Sequence, residues 1–158
     1  MLKLVIAIAL TLAPLTARAQ GPVTGRASII DGDTIEIRGQ RIRLQGIDAP
    51  ESWQGCWDAS GKMYRCGKVA ADALDQFLAA SRPTRCDFVE WDRYHRMVGE
   101  CFRSDGASVG DWMVRSGHAL DYTKYSKGAF VKAQREAEAK KAGIWQGRFD
   151  PPWEARRQ

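Results

Sequence analysis

The stretch Ile29–Glu51, IIDGDTIEIRGQRIRLQGIDAPE, decides the fold because it contains two short amphipathic segments and a dense group of charged residues. Apolar and charged residues alternate over 35–38 and again over 41–44, which is the pattern of half-buried β-strands. A turn at Gly39 and Gln40, with glycine supplying a positive φ, joins the strands into a hairpin. The predicted facing pairs are Ile37 with Ile42, Ile35 with Leu44, and Glu36 with Arg43.

Carboxylates stand at the two outer ends of this hairpin. Asp31-Gly32-Asp33 precedes the first strand, and Asp48-Ala49-Pro50-Glu51 follows the second. Because antiparallel strands place these ends side by side, we expect Asp33 and Asp48 to converge. Two carboxylates with backbone carbonyls and water suit Ca²⁺ or Mg²⁺ rather than zinc. The alternative is purely local, with Asp-Gly as an ordinary turn and Pro50 as the end of a strand.

Three segments, in order, resemble the staphylococcal nuclease (thermonuclease) family. They are the stretch just described, Asp92-Arg93-Tyr94-His95-Arg96, and a Lys/Ala-rich helix that ends in Gly143-Ile144-Trp145. The resemblance runs from about Arg26 to Trp145. It implies an α+β fold, a five-stranded Greek-key OB-type β-barrel with three helices, and OB surfaces often bind oligonucleotides.

The resemblance also implies a set of site residues. By position, Asp33, Asp48 and the backbone carbonyl of Ala49 would hold Ca²⁺, with Mg²⁺ or Mn²⁺ as alternatives, although family members often carry threonine where this chain has Ala49. The implied catalytic residues are Arg43, Glu51 and Arg96. Aromatic and basic residues could contact bases or phosphates, and the candidates are Tyr94, Tyr122 and Lys124.

These residues predict a calcium-dependent, sugar-nonspecific nuclease that cleaves DNA and RNA, and the resemblance implies 3′-phosphate ends. The main alternative is a noncatalytic nucleic-acid-binding or protein-binding OB module, since a fold alone does not confer activity. An accessory role toward an envelope polysaccharide or a phosphate ester is a third reading, without positive support from any residue. The net charge of +5 is compatible with a polyanionic substrate but does not demonstrate one.

The first nineteen residues have the pattern of an export signal. Lys3 is followed by an apolar run, and Ala17-Arg18-Ala19 resembles a cleavage site before Gln20. The alternative is an uncleaved anchor. Cleavage would leave 22 basic and 19 acidic residues, a net charge of +3, in a periplasmic or secreted protein. The predicted organisation is a signal peptide (1–19), a flexible lead-in (20–25), a nuclease domain (26–149) and a C-terminal tail (150–158), and we expect a monomer.

Four cysteines in an exported chain predict two disulfides, for which three pairings exist. Cys56 and Cys66 bracket one loop, whereas Cys86 and Cys101 lie on the arms of a second predicted hairpin, 85–91 with 97–102. We therefore expect the pairs Cys56–Cys66 and Cys86–Cys101, with Val89 opposite Val98. Zinc is disfavoured because neither pair has Cys-x₂-Cys spacing.

Helical periodicity appears in three further segments. It predicts helices over 69–80, 109–116 and about 127–142, the last with Gly143 as its C-cap. Pro151-Pro152 is expected to end the ordered structure.

Overall fold

The computed structural model describes residues 20–157, which form ten short strands and six helical segments. The strands are β1 (Val23–Gly25), β2 (Ala27–Asp31), β3 (Thr34–Ile37), β4 (Gln40–Leu44), β5 (Ile47–Asp48), β6 (Cys56–Trp57), β7 (Met63–Tyr64), β8 (Thr84–Trp91), β9 (Met97–Phe102) and β10 (Leu120–Asp121). The helices are α1 (Cys66–Ala79), α2 (Val109–Arg115), α3 (Thr123–Ser126), α4 (Val131–Lys140), a 3₁₀ turn (Gly143–Gln146) and α5 (Pro152–Ala155).

Six strands form the main sheet in the order β1-β8-β9-β4-β3-β2. Its pairs are antiparallel except β4 with β9, which is parallel. The two edge strands, β1 and β2, are separated in sequence by Arg26 alone, so the sheet must curl until its edges approach each other. This mixed sheet with its helices confirms the predicted α+β, OB-like architecture.

The core lies between the concave side of this sheet and the helices. Ile35, Ile37 and Ile42 are fully buried, as their alternation with charged residues predicts. Helices α1 and α2 bury Leu74 and Met113 in the same cluster. The first hairpin is therefore anchored to the core through one face, which fixes the position of its outer ends.

The turn of the first hairpin differs from the prediction. Its central residues are Arg38 and Gly39, with φ of 52° and 80°, rather than Gly39 and Gln40. A two-residue turn with positive φ at both positions matches the twist of the flanking strands, and Arg38 accepts this conformation. The observed facing pairs are Ile37 with Gln40, Glu36 with Arg41, Ile35 with Ile42, and Thr34 with Arg43. Each side chain keeps its predicted face because the register shifts by two residues.

The second hairpin pairs β8 with β9, and Cys86 lies opposite Cys101. The structure contains the Cys86–Cys101 and Cys56–Cys66 disulfides. The predicted pairing of Val89 with Val98 is wrong because a bulge between Phe88 and Glu90 places Glu90 opposite Val98.

Both ends of the described chain are more ordered than predicted. Val23–Gly25 is not part of a flexible lead-in, because it pairs with β8. Residues 150–157 are not a free tail, since α5 buries Pro152 and Ala155. The predicted signal peptide, residues 1–19, lies outside the described residues.

The long helix predicted over 127–142 is shorter. It spans Val131–Lys140 and ends at Lys141, which adopts the left-handed conformation expected of Gly143. Gly143 instead opens the 3₁₀ turn. None of the helices between residues 20 and 157 is both long enough and apolar enough to cross a membrane.

Candidate active site

Asp33 lies directly before β3 and Asp48 ends β5, a separate short strand that pairs with β10, and both contact Arg43 of β4. The register of β3 and β4 places Arg43 opposite Thr34, next to Asp33. The Nη2 atom of Arg43 donates to Asp33 Oδ2 at 2.9 Å and to Asp48 Oδ1 at 2.9 Å. One guanidinium nitrogen therefore joins two carboxylates that are 15 positions apart in the chain.

The two aspartates of this cluster are buried, which raises the free-energy cost of keeping them charged. Asp48 has no exposed surface and Asp33 is 5% exposed. Burial raises the pKa of Asp33 to about 8, although Arg43 opposes the shift and the neighbouring carboxylates of Asp31 and Asp48 add to it. Burial lowers the pKa of the Arg43 guanidinium, but the two aspartates outweigh it and raise that pKa overall.

Glu51 reaches the same region from the loop after β5. Its backbone N–H donates to Gln54 Oε1 at 3.2 Å, which closes the loop on itself. Helix α1 supports the loop from beneath, and a Cβ on Gly67 would lie only 1.7 Å from the carbonyl oxygen of Glu51. Only glycine permits this approach. The Cys56–Cys66 disulfide ties the preceding residue of the helix to the same segment.

Arg96 comes from the connection between β8 and β9. Asp92 organises this loop by accepting the backbone N–H groups of Tyr94 at 2.8 Å and Arg96 at 2.9 Å, while His95 takes a positive φ of 58°. The Nε atom of Arg96 donates to Asp92 Oδ2 at 2.7 Å, and its guanidinium lies 5.5 Å from the ring of Tyr94. The loop thus holds one arginine and one exposed tyrosine together.

Two neighbouring cavities contain most of the predicted site residues. The smaller, of about 270 Å³, is lined by Asp31, Asp33, Arg43, Ala49, Pro50, Glu51, Tyr94, Arg96 and Arg156. The larger, of about 390 Å³, shares Arg43, Tyr94, Arg96 and Arg156 with it and adds Tyr122, Trp91 and Tyr125 among its walls. Lys124 lies outside both linings, exposed on α3 with its Nζ 5.5 Å from the ring of Tyr125.

Arg156 is the site residue that the sequence analysis missed. Its Nη2 donates to Asp48 Oδ2 at 2.7 Å, and its Nη1 donates to Asp48 Oδ1 at 3.1 Å and to Glu51 Oε1 at 2.6 Å. The signal that could have indicated it is Trp153, a large aromatic residue within the expected tail, whose ring stacks on Tyr122 at 5.3 Å. An aromatic anchor two or three residues from an arginine is typical of a packed segment.

The donor set fits a hard divalent cation. Among the described residues, no three His, Cys, Asp or Glu side chains are grouped to hold a metal ion by themselves. A cation would instead rest on the two buried aspartates with backbone oxygen and water. The backbone N–H of Ala49 donates to Asp33 Oδ2 at 3.4 Å. The Ala49 carbonyl oxygen would be the backbone ligand of the cation. Burial is the largest cause of the raised pKa of Asp33, and a divalent ion bound beside it would favour the ionised carboxylate.

Comparison with known proteins places the chain in a family. The sequence model described as "Staphylococcal nuclease homologue" matches residues 41–147, more than half of the chain. The chain belongs to the staphylococcal nuclease homologue family. Arg43, Asp48, Glu51 and Arg96 all lie within the matched region, whereas Arg156 lies beyond it.

Some relatives of this staphylococcal nuclease homologue are named as nucleases, and one is named for the biosynthesis of a polysaccharide. The succinoglycan biosynthesis protein ExoI of Rhizobium meliloti (strain 1021) is 55% identical over 82% of this chain and 68% of its own length. An uncharacterized endonuclease of Escherichia coli O157:H7 is 34% identical over 79% of this chain and 78% of its own. The probable staphylococcal-like nuclease CAN1 of Oryza sativa subsp. japonica is 33% identical over 80% of this chain and 35% of its own.

Proposed function

We propose that this protein is a calcium-dependent, sugar-nonspecific endonuclease that hydrolyses phosphodiester bonds of DNA and RNA and leaves 3′-phosphate ends. The observation that carries the proposal is the arrangement of Asp33, Arg43, Glu51 and Arg96 around one small cavity, with the buried Asp48 bonded to Arg43 beside it. The family is a nuclease family, and relatives named endonuclease and nuclease support the same reaction class. Metal dependence, substrate range and product ends are parts of the proposal.

The two arginines provide charge complementarity to a phosphodiester. The planar, permanently charged guanidinium groups of Arg43 and Arg96 match phosphate oxygens and can stabilise the charge that accumulates in the transition state. In the described structure each already holds a carboxylate, Arg43 those of Asp33 and Asp48, and Arg96 that of Asp92. These carboxylate partners hold both guanidinium groups in the lining of the small cavity before a substrate binds.

Glu51 is the proposed general base. Its carboxylate borders the small cavity, and it would take a proton from a water molecule as the water oxygen bonds to phosphorus. The bond from phosphorus to the 5′ oxygen breaks in the same reaction, and that oxygen takes a proton from solvent, which leaves a 3′-phosphate and a 5′-hydroxyl; Glu51 later returns its proton to solvent. A Ca²⁺ bound by Asp33, Asp48 and the Ala49 carbonyl would supply Lewis acidity toward a phosphoryl oxygen.

The larger cavity offers a place for a nucleotide adjoining the scissile phosphate. Tyr94 is 69% exposed, and both Tyr94 and Tyr122 line this cavity. Stacking on aromatic rings tolerates any base, so little sequence preference is expected. Lys124 lies outside both cavity linings, so its proposed role is limited to attracting the phosphate backbone.

The decisive experiment compares cleavage of single-stranded DNA by the oxidised protein lacking residues 1–19 with that of its Glu51→Gln variant, in Ca²⁺ and in chelator. Glutamine keeps the size of the side chain and removes the base, so we expect turnover to fall by about 10²-fold or more. Calcium-dependent cleavage that disappears in the variant supports the enzyme. Salt-sensitive DNA binding without cleavage in Ca²⁺, Mg²⁺ or Mn²⁺ supports the noncatalytic module instead.

A second candidate function is a part in succinoglycan biosynthesis. It is favoured by one observation, the name of the relative that is 55% identical. The DNA-cleavage assay above distinguishes the two, since a protein that acts only in polysaccharide biosynthesis would leave DNA intact in Ca²⁺, Mg²⁺ and Mn²⁺.

A further inference from the structure

Arg156 makes the densest set of ion pairs to the acidic side of the site. Its guanidinium contacts both oxygens of Asp48, at 2.7 and 3.1 Å, and one oxygen of Glu51 at 2.6 Å. Burial lowers the pKa of Arg156, but its hydrogen bonds with Asp48 and Glu51 outweigh burial and raise that pKa. This guanidinium therefore lies between the proposed cation ligand and the proposed base.

The segment that presents Arg156 is built into the fold. The side-chain amide of Gln54 donates to the carbonyl of Asp150 at 2.7 Å, which joins the C-terminal segment to the Glu51 loop. Trp153 stacks on Tyr122 with an interplanar angle of 10°, and Ala155 is 7% exposed. The backbone is thus held on both sides, while the Arg156 side chain, about one-third exposed, can still move.

The oxygens that Arg156 occupies are the ones that a divalent cation needs. Asp48 has no exposed surface, and Arg43 and Arg156 together engage both of its carboxylate oxygens. A buried carboxylate must have a positively charged partner, which the folded chain supplies from its own arginines. A cation that coordinates Asp48 would compete with Arg156 for the lone pairs of these oxygens and would be repelled by its positive charge.

We propose that Arg156 is a positioning residue that holds Asp48 and Glu51 in the ion-free protein and competes with the divalent cation for them. This inference rests on the proposed function because it takes Asp48 as a cation ligand. Cation binding releases the guanidinium, which borders both cavities, from the carboxylates. Removing Arg156 removes a competitor and a positive charge, and both effects tighten cation binding.

The test is calorimetric titration of Ca²⁺ into the metal-free protein without nucleic acid, for wild type, Arg156→Met and Arg157→Met. Arg157 is the matched control because it is the neighbouring arginine, exposed and outside both cavity linings. We expect Arg156→Met to bind Ca²⁺ about tenfold more tightly or better, and Arg157→Met to match wild type. A residue with a merely structural role would weaken binding when removed.

Thermal unfolding provides the second readout. In chelator, Arg156→Met should unfold at a lower temperature than wild type because Asp48 loses a partner, and Ca²⁺ should raise its unfolding temperature by more than it raises that of wild type. If Arg156→Met does not fold, Arg156→Lys replaces it, and a smaller gain in affinity is expected because one ammonium cannot make the same paired bonds.

Equal or weaker Ca²⁺ binding by the folded variant overturns the inference, even if wild type is an active nuclease. The absence of Ca²⁺ binding in both proteins overturns it together with the calcium part of the proposed function. Nuclease activity is measured separately with Glu51→Gln, so the two failures are distinguishable.

Discussion

Replacement of Arg43 by methionine tests whether this arginine is the counter-charge of the two buried aspartates. Arg43 bonds to Asp33 and Asp48 at 2.9 Å, and its own side chain is 23% exposed. Removing one partner of a buried ion pair costs about 3–5 kcal/mol. Because domains of this size have a free energy of unfolding of only about 5–15 kcal/mol, the loss is large.

The expected fall in unfolding temperature is roughly 10–15 °C in chelator, since 1 kcal/mol shifts the midpoint by a few degrees in a domain of this length. Circular dichroism during heating measures it. Ca²⁺ should recover part of the loss because it supplies positive charge to the same carboxylates. Arg41→Met is the control, as Arg41 lies two residues away, is 62% exposed and pairs with Glu36 at 3.7 Å, a contact expected to contribute less than about 1 kcal/mol. Equal, small shifts in the two variants would refute the reasoning.

Three further predictions address other parts of the molecule. Arg96→Lys should keep the charge but lose the planar fork, so turnover should fall by about 10²-fold with little change in unfolding temperature, while Arg93→Lys retains most activity. Gly67→Ala should displace the Glu51 loop, because the added Cβ would lie 1.7 Å from the carbonyl oxygen of Glu51; loss of both cleavage and stability is expected, and unchanged kinetics would contradict it. Burial lowers the pKa of His118 below its ordinary 6.5, so the unfolded chain binds this proton more tightly than the folded chain does. The contribution of neutral His118 to the free energy of unfolding is therefore complete above about pH 6.5 and is lost as the pH falls below it. Urea unfolding at about pH 5 and about pH 8 should show this pH dependence in wild type and less of it in His118→Gln.

Hydropathy alternation was enough to predict the faces of the first hairpin, but not its register. The register depends on Arg38 accepting a positive φ beside Gly39, and an arginine gives no local indication of that conformation. The bulge before Glu90 was equally invisible, because one extra residue in a strand is fixed by how the neighbouring strands pair and not by local composition. The disulfide pairs could be predicted since hairpin geometry and loop length limited the choices.

Part of the candidate site could be predicted from the sequence, and part of it could not. The proximity of Asp33 and Asp48 was predicted from the antiparallel first hairpin, although Asp48 lies four residues beyond the end of β4, in β5, which pairs with β10. Arg156 could not be predicted, because its position depends on the packing of Trp153 against Tyr122, a contact between segments about thirty residues apart that no periodicity encodes.

The ion pairs of the site share one property, which is that each charged group enters the folded protein with an internal partner of opposite sign. Glu51 is paired with Arg156, Arg96 with Asp92, and the buried carboxylate of Asp48 with two guanidiniums. A cation and a phosphodiester arriving together can replace these partners, the cation at the carboxylates and the phosphate at the arginines. On the proposed function, a cation at Asp33 and Asp48 would free Arg43, and a phosphate at Arg43 would free the two aspartates, so cation binding and substrate binding are expected to reinforce each other to the same extent in both directions. The internal pairs therefore explain how the fold tolerates buried charge, and the proposed function would use the same groups for two ligands of opposite charge.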